Sequence, residues 1–313
     1  MHQSPKIAQE RLTRAIHSLH GLSCGDAFGE RFFLHPEVAR SLISQRARPS
    51  PPWRYTDDTA MAVAITESLE EHGEIRQESL AESFGRNFLA DPHRGYGAAM
   101  HSLLPELAST PSAWAKMAPA LFKGRGSFGN GAAMRIAPLG AYFADDLTKL
   151  TKQAELSAVI THSHPEGVSG AIAVAMAAAF AWRHKSSPIT PRKFLQEICE
   201  RTPDSEVRRG LVNALALPTD TTVEEAVAVL GNGSKVSAQD TVPFSVWVAA
   251  HHLNDYEDAL WTTVSGLGDR DTTCAIVGGI VAMSSGVESI PPSWIQAREP
   301  IPVWFLYPKP GSN

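Results

Sequence analysis

Tyr55-Thr56-Asp57-Asp58-Thr59 sets two adjacent carboxylates between hydroxyls, directly ahead of the apolar run Ala60–Leu69. Asp and Thr are favoured at helix N-termini, where they accept from free N–H groups and complement the dipole. Capping needs only one carboxylate, yet here four hard oxygen donors fall within four residues. Such a set suits Mg²⁺ or Ca²⁺. A second cluster, Gly266-Leu267-Gly268-Asp269-Arg270-Asp271-Thr272-Thr273, opens another small-residue helix. Asp269 and Asp271, two apart in a Gly-started loop, can point the same way, and Thr272 adds a hydroxyl. Either cluster alone reads as a turn and a cap. Together they offer four carboxylates, enough to hold two divalent ions.

Three further segments carry chemistry. Gly124-Arg125-Gly126-Ser127-Phe128-Gly129-Asn130-Gly131 runs into the helical Ala132–Arg135, and such a loop presents backbone N–H groups to a pyrophosphate. Phe128 can lie against a ribose or base. The loop is neither a P-loop nor a strand-preceded dinucleotide fingerprint. In Thr161-His162-Ser163-His164-Pro165-Glu166, no Cys or third His completes a zinc set. The two histidines read either as contacts to a ligand phosphate or ribose, or as capping and packing groups. Gly25-Asp26-Ala27-Phe28-Gly29-Glu30-Arg31 closes the first helix, and its small residues imply close backbone packing. Glu30, near Phe32 and Phe33, is a candidate general acid or base if buried, and a partner for Arg31 if not.

The elements that must position these residues are helices. Leu12, Ile16, Leu19 and Leu22 mark one apolar face. Helices are also expected over Thr59–Glu71, Leu80–Leu89, Ala171–Arg183, Val223–Leu230, Val242–Leu253 and Thr272–Ser284. Pro191 after Thr190 starts another, and Asp91-Pro92 stops the one before it. Period-two alternation is nearly absent, so the expected class is all-α. No linker or solenoid repeat divides the chain, and one domain over 1–313 is expected, with 291–313 as an extended C-terminal strap carrying Trp294, Trp304, Phe305 and Tyr307.

Composition narrows the function. At 43% hydrophobic, 313 residues can bury a sizeable core. A net charge of −5 lacks the electrostatic footprint of a general nucleic-acid binder. Cys24, Cys199 and Cys274 are isolated, which suits a reducing compartment rather than a disulfide framework. The N-terminus has no apolar signal-peptide core, and Gly167–Trp182 is short and alanine-rich for a membrane span. A cytoplasmic protein with no membrane partner is expected.

Taken in order, GDAFG, TDDT, GSFGNGAAMR, THSHP and GDRDT resemble the ADP-ribosylglycohydrolase family, and they spread over residues 21–283. That family includes the hydrolase that reactivates ADP-ribosylated dinitrogenase reductase and the ADP-ribosylarginine and ADP-ribosylserine hydrolases. Gly231–Val242 with Pro243 is similar to the family's late TVP element. The resemblance implies an all-α orthogonal bundle with two Mg²⁺ ions in a central cleft. It makes Thr56, Asp57, Asp58, Asp269, Asp271 and Thr272 metal ligands. It places Gly126, Ser127, Phe128, Gly129 and Asn130 along the ADP-ribose diphosphate and distal ribose, with His162 as a further contact. One position departs: many members carry a glutamate four residues after the second glycine of GDxxG, where this chain has Phe33. Glu30 and Glu37 are the two candidate substitutes.

The expected reaction is Mg²⁺-dependent hydrolysis of the N-glycosidic bond between the distal ribose and an arginine on a modified protein. Asp58 or Asp271 would take the water's proton, and Glu30 would assist the leaving group. Two alternatives stand beside it: cleavage of an O-linkage, as on serine, and an immunity protein that also neutralises an ADP-ribosyltransferase toxin by binding it.

Overall fold

Gly21, Gly25 and Gly29 recur every four residues along Pro5–Glu30, the longest helix, and form a bare ridge on one side of it. That ridge lies directly on the backbone of the Arg270–Ser285 helix. A Cβ at Gly25 would stand 2.1 Å from the carbonyl oxygen of Cys274, and one at Gly29 2.1 Å from that of Arg270. Backbone therefore meets backbone, and the two helices share the most extensive contact between any pair. Ser18 Oγ donates to Gly279 O (2.8 Å) and Tyr256 Oη to Gly21 O (2.6 Å) across the same seam. Gly25→Ala is expected to cost about 3 kcal/mol, because neither backbone can give way. Urea unfolding of that variant is the check.

The computed structural model describes residues 5–302. Among them the architecture is all-α; extended pairing is confined to two single bridges, Trp53 with Arg298 and Gly129 with Ser237. The expected helices are present as Asp57–His72, Gln77–Ala90, Pro165–Arg183, Pro191–Arg201, Val223–Leu230, Ala238–His251 and Arg270–Ser285. Thr190 caps Pro191–Arg201 through its side chain. Pro165–Arg183 is long and apolar enough to cross a membrane by composition, and it is 78% buried. It sits among Ala137–Tyr142, Leu147–Ala158, Ala238–His251 and Arg270–Ser285, its alanines letting those helices approach.

The segment expected as an extended strap begins instead as a helix, Pro292–Ala297, with Pro292 in its first turn. Trp294 explains the folding: its ring stacks on Phe28 at 4.4 Å and meets Trp53 and Trp261 edge-on, so the turn is wound around a buried aromatic cluster. Trp304, Phe305 and Tyr307 lie outside the described residues.

Candidate functional site

The two acidic clusters meet because each opens a helix that packs on the first one. Thr56 is the N-cap of Asp57–His72, its Oγ1 accepting from Asp58 N. Asp57 N–H donates to Arg94 O (2.8 Å), which ties this terminus to the Gly95–Ala99 segment. Asp269 is the N-cap of Arg270–Ser285, and its N–H donates to Asn232 O (3.1 Å) in the Gly231–Ser237 loop. Asn130 ties the Gly-rich loop to the second cluster: its Nδ2 donates to Asp269 Oδ2 (2.7 Å) and to Thr241 Oγ1 (3.1 Å).

Asp26 joins the clusters to the first helix. Its fully buried carboxylate accepts from Thr56 N (3.0 Å), Thr56 Oγ1 (2.9 Å), Thr59 N (3.0 Å) and Thr59 Oγ1 (2.5 Å). One side chain thereby fixes the first turn of Asp57–His72. Burial raises Asp26 to about 6, against the pull of those four donors. Asp26→Ala is expected to destabilise the protein by about 3 kcal/mol, since buried donors lose their acceptor while relief of repulsion on Asp57 and Asp58 recovers only part. Denaturant unfolding measures the sign and size.

These elements enclose a cleft of about 480 Å³, within the range that holds small-molecule ligands. Asp57, Asp58, Asp269, Asp271 and Thr272 line it, as do Ser127, Phe128, Gly129, Asn130 and His162. Three expected residues do not. Thr56 is buried behind the cleft, because as N-cap its hydroxyl turns back between Asp26 and Asp58. Gly126 faces the backbone of Ser163 and His164 instead. Glu30, the last residue of the first helix, is exposed and off the cleft, although partial burial and the charge of Asp26 raise its carboxyl. Glu37, in the first turn of Pro36–Ser44, is exposed and off the cleft too. His164 is a cap and packing residue: Nδ1 accepts from Glu166 N, and its ring meets Phe128 edge-on at 5.5 Å.

The cleft also has a rim, of which only Lys235 and Val236 fall within a segment marked in the sequence, Gly231–Val242. Gly95, Gly97, Ala98, Phe122, Lys235 and Val236 complete its lining. Phe122 stands just before the Gly-rich loop, where Phe122, Lys123 and Gly124 all take positive φ (52°, 63° and 81°). That backbone holds an aromatic ring half-exposed at the cleft edge.

Electrostatically the floor asks for cations. Burial, then the charge of Asp26, raises Asp57 to about 8. Asp58 is pushed well up by burial, then by Asp26 and Asp271, and Asp271 by burial and Asp269. Asp58 Oδ1 is buried with no protein partner. Among the described residues no three acidic, His or Cys side chains already close on one point as a ligand cage. The donor chemistry nevertheless fits a hard divalent ion: oxygens only, mutually repelling, with one lone buried acceptor.

A model of the ADP-ribosylglycohydrolase family matches residues 8–305. ADP-ribosylhydrolase ARH3 of Homo sapiens is 29% identical across 93% of this chain and 91% of its own length. The Gallus gallus protein of that name is 30% identical across 78% of this chain and 74% of its own. Among solved structures, a chain titled ADP-ribosylglycohydrolase-related protein complex superposes with TM-score 0.63 at 23% identity, covering 93% of both chains, a likeness of fold. With the family model spanning nearly the whole sequence, the chain belongs to the ADP-ribosylglycohydrolase family.

Proposed function

We propose that this protein is a Mg²⁺-dependent ADP-ribosylhydrolase that releases ADP-ribose from a modified protein side chain. The observation that carries the reading is the meeting of both acidic clusters, the Gly-rich loop and His162 on one cleft. Asp57, Asp58, Asp269, Asp271 and Thr272 would hold two Mg²⁺ ions. Bound there, the ions would supply positive charge to orient the ribose hydroxyls and make water a better nucleophile near neutral pH.

The chain's own groups do the rest. Ser127, Phe128, Gly129 and His162 line the part of the cleft that would receive the diphosphate and sugars. Asp58, whose Oδ1 has no protein partner, takes the proton from the attacking water. The water oxygen bonds to C1 of the distal ribose, the bond from C1 to the side-chain heteroatom breaks, and that atom leaves with the proton that Asp58 took from the water. Glu30 is exposed and does not line the cleft, although the charges of Asp26 and Asp269 reach it.

The lining favours an oxygen-linked substrate over the arginine linkage expected first. The carboxylates that line the cleft are all in its floor, and at the rim Asp240 is already paired with Lys235, its Oδ1 3.5 Å from Nζ, rather than free for a guanidinium. The relatives named ADP-ribosylhydrolase ARH3 support the broader activity. The test is to incubate the protein with serine-linked and arginine-linked ADP-ribosylated substrates, with Mg²⁺ and with EDTA, and follow release of ADP-ribose. Mg²⁺-dependent release from the serine linkage is expected. Release from arginine alone would reverse the linkage assignment, and no release from either would remove the hydrolase reading.

A further inference from the structure

Arg135 is fully buried and, among the described residues, forms no direct salt bridge, although the charge of Asp57 reaches it; this is uncommon for a guanidinium in a helical core. Its Nη2 donates to Ser157 O (3.1 Å) and to Thr161 Oγ1 (2.9 Å), while its Cζ lies 4.4 Å from the centre of the Phe84 ring. Thr161 Oγ1 is in turn 2.8 Å from His162 Nδ1. His162 has its ring against the bare backbone of Gly129 and Gly131: a Cβ on either would come within 3.1 Å of Nε2.

One arrangement of this chain gives every proton in it an acceptor. A guanidinium only donates, so Thr161 Oγ1 accepts from Arg135. The hydroxyl has a single proton, and Nδ1 is its only acceptor partner among the described residues. The reverse, with Nδ1–H donating to the second lone pair of Oγ1, would leave the proton of that buried hydroxyl without an acceptor, a cost that favours Nδ1 as the acceptor. An imidazole whose Nδ1 accepts must carry its proton on Nε2, the nitrogen beside the glycine loop.

We propose that Arg135 and Thr161 are positioning residues that hold His162 in the neutral Nε2–H tautomer, as a fixed hydrogen-bond donor to an oxygen of the bound ADP-ribose. The inference rests on the reading that this cleft takes ADP-ribose. Burial and the nearby Arg135 charge lower His162 to about 3, in keeping with a ring that stays neutral. With one nitrogen engaged and the other protonated, the ring has no lone pair for a metal ion or for a proton from water. His162 is then a reader of the ligand and takes no part in acid–base chemistry. The same relay gives a reason for a buried arginine without a direct salt bridge: its charge polarises Thr161 and sets the orientation of the proton beyond it.

Nitrogen-15 NMR of the His162 ring in the full chain tests the tautomer directly. The expected spectrum has an unprotonated Nδ1 and a protonated Nε2, unchanged between pH 5 and 8. Thr161→Val removes the proton that Nδ1 accepts, so the tautomer preference is expected to collapse. Its KM should rise roughly tenfold while kcat stays within about twofold, the pattern of a lost binding contact. Thr161→Ser is expected to restore both the spectrum and KM, which a loss of packing alone would not allow. A protonated Nδ1 or an imidazolium in the wild-type ring overturns the proposal, whatever the cleft binds and whether or not Thr161→Val folds. A wild-type KM in Thr161→Val with a collapsed tautomer overturns the donor role. The expected tautomer in a protein that releases no ADP-ribose and does not bind it would fail the functional reading and leave the relay standing.

Discussion

Asp57→Ala is expected to lower turnover by about 10³-fold or more and, unusually for a buried substitution, to raise the thermal midpoint of the metal-free protein. The loss of activity follows from removing one of four carboxylates that would hold the ions. The gain in stability follows from the carboxyl's own energetics. A group held at about 8 is one the fold resists ionising, first because it is buried and then because Asp26 lies beside it. At neutral pH the folded chain must hold a proton there that an unfolded aspartate has released, which costs stability, and alanine removes that cost together with the repulsion the ionised group exerts on Asp58. At about 2–4 °C per kcal/mol for a chain of this size, the shift is resolvable by differential scanning calorimetry in EDTA. Substituting a buried core residue such as Phe244 would do the opposite, because only a cavity results. Unchanged turnover in Asp57→Ala would remove the metal-centred mechanism.

The second large effect is a pH dependence whose sign reverses with Mg²⁺. An unfolded aspartate ionises near 3.9, whereas folded Asp57 ionises near 8. Between those values the folded chain keeps a proton that the unfolded chain has released, so stability falls as pH rises across the window. Asp58 and Asp271, raised by the same burial and crowding, act in the same direction. Histidines oppose them lower down. His162 and His20 are depressed to about 3 and about 4, so below about 6.5 the unfolded chain takes up protons that the folded chain refuses. The carboxylate effect is therefore cleanest between about pH 6.5 and 8. In EDTA the midpoint should drop across that interval; with saturating Mg²⁺ it should rise, since the ion binds only the ionised carboxylates. Thermal melts at pH 6.5 and 8 in both buffers decide it, and a midpoint in EDTA that climbs with pH would mean the floor carries no such strain.

How much of this was legible in the sequence varies with how local the cause is. Helices with a proline start or a clean apolar face could be read directly. Met100–Ser109 could not, because Pro105 inside it looks like a breaker and only tertiary packing overrides that signal, while Trp114–Gly124 tolerates Pro119 but loses helical geometry at Leu121, Phe122 and Lys123. The acidic floor was readable because two aspartates exceed what a helix cap requires. Thr56 and Gly126 fall outside the cleft lining for a shared reason: neighbours of a site residue in sequence do not share its direction, and a cap hydroxyl turns back onto its own helix. Asp26 was the residue missed. An aspartate in a run of small residues has no visible partner until Thr56 and Thr59, 30 and 33 positions on, are folded against it. Lys235 and Phe122 reach the rim only through loops whose course no periodicity reports.

The seam of glycines has a consequence for how the protein is made. It joins the beginning of the chain to its end: Ser18 bonds to Gly279, 261 positions later. At about 5–20 residues per second, the first helix leaves the ribosome tens of seconds before its partner exists. Throughout that time a bare glycine ridge has nothing to lie on. Asp57 and Asp58 emerge early, yet the opposing carboxylates come with Asp269 and Asp271, so no half-built cleft can capture a cation on the way. The proposed ions could therefore be held only once residues 269–272 had been made, and a chain released before residue 269 would carry half of the acidic floor with nothing to complete it.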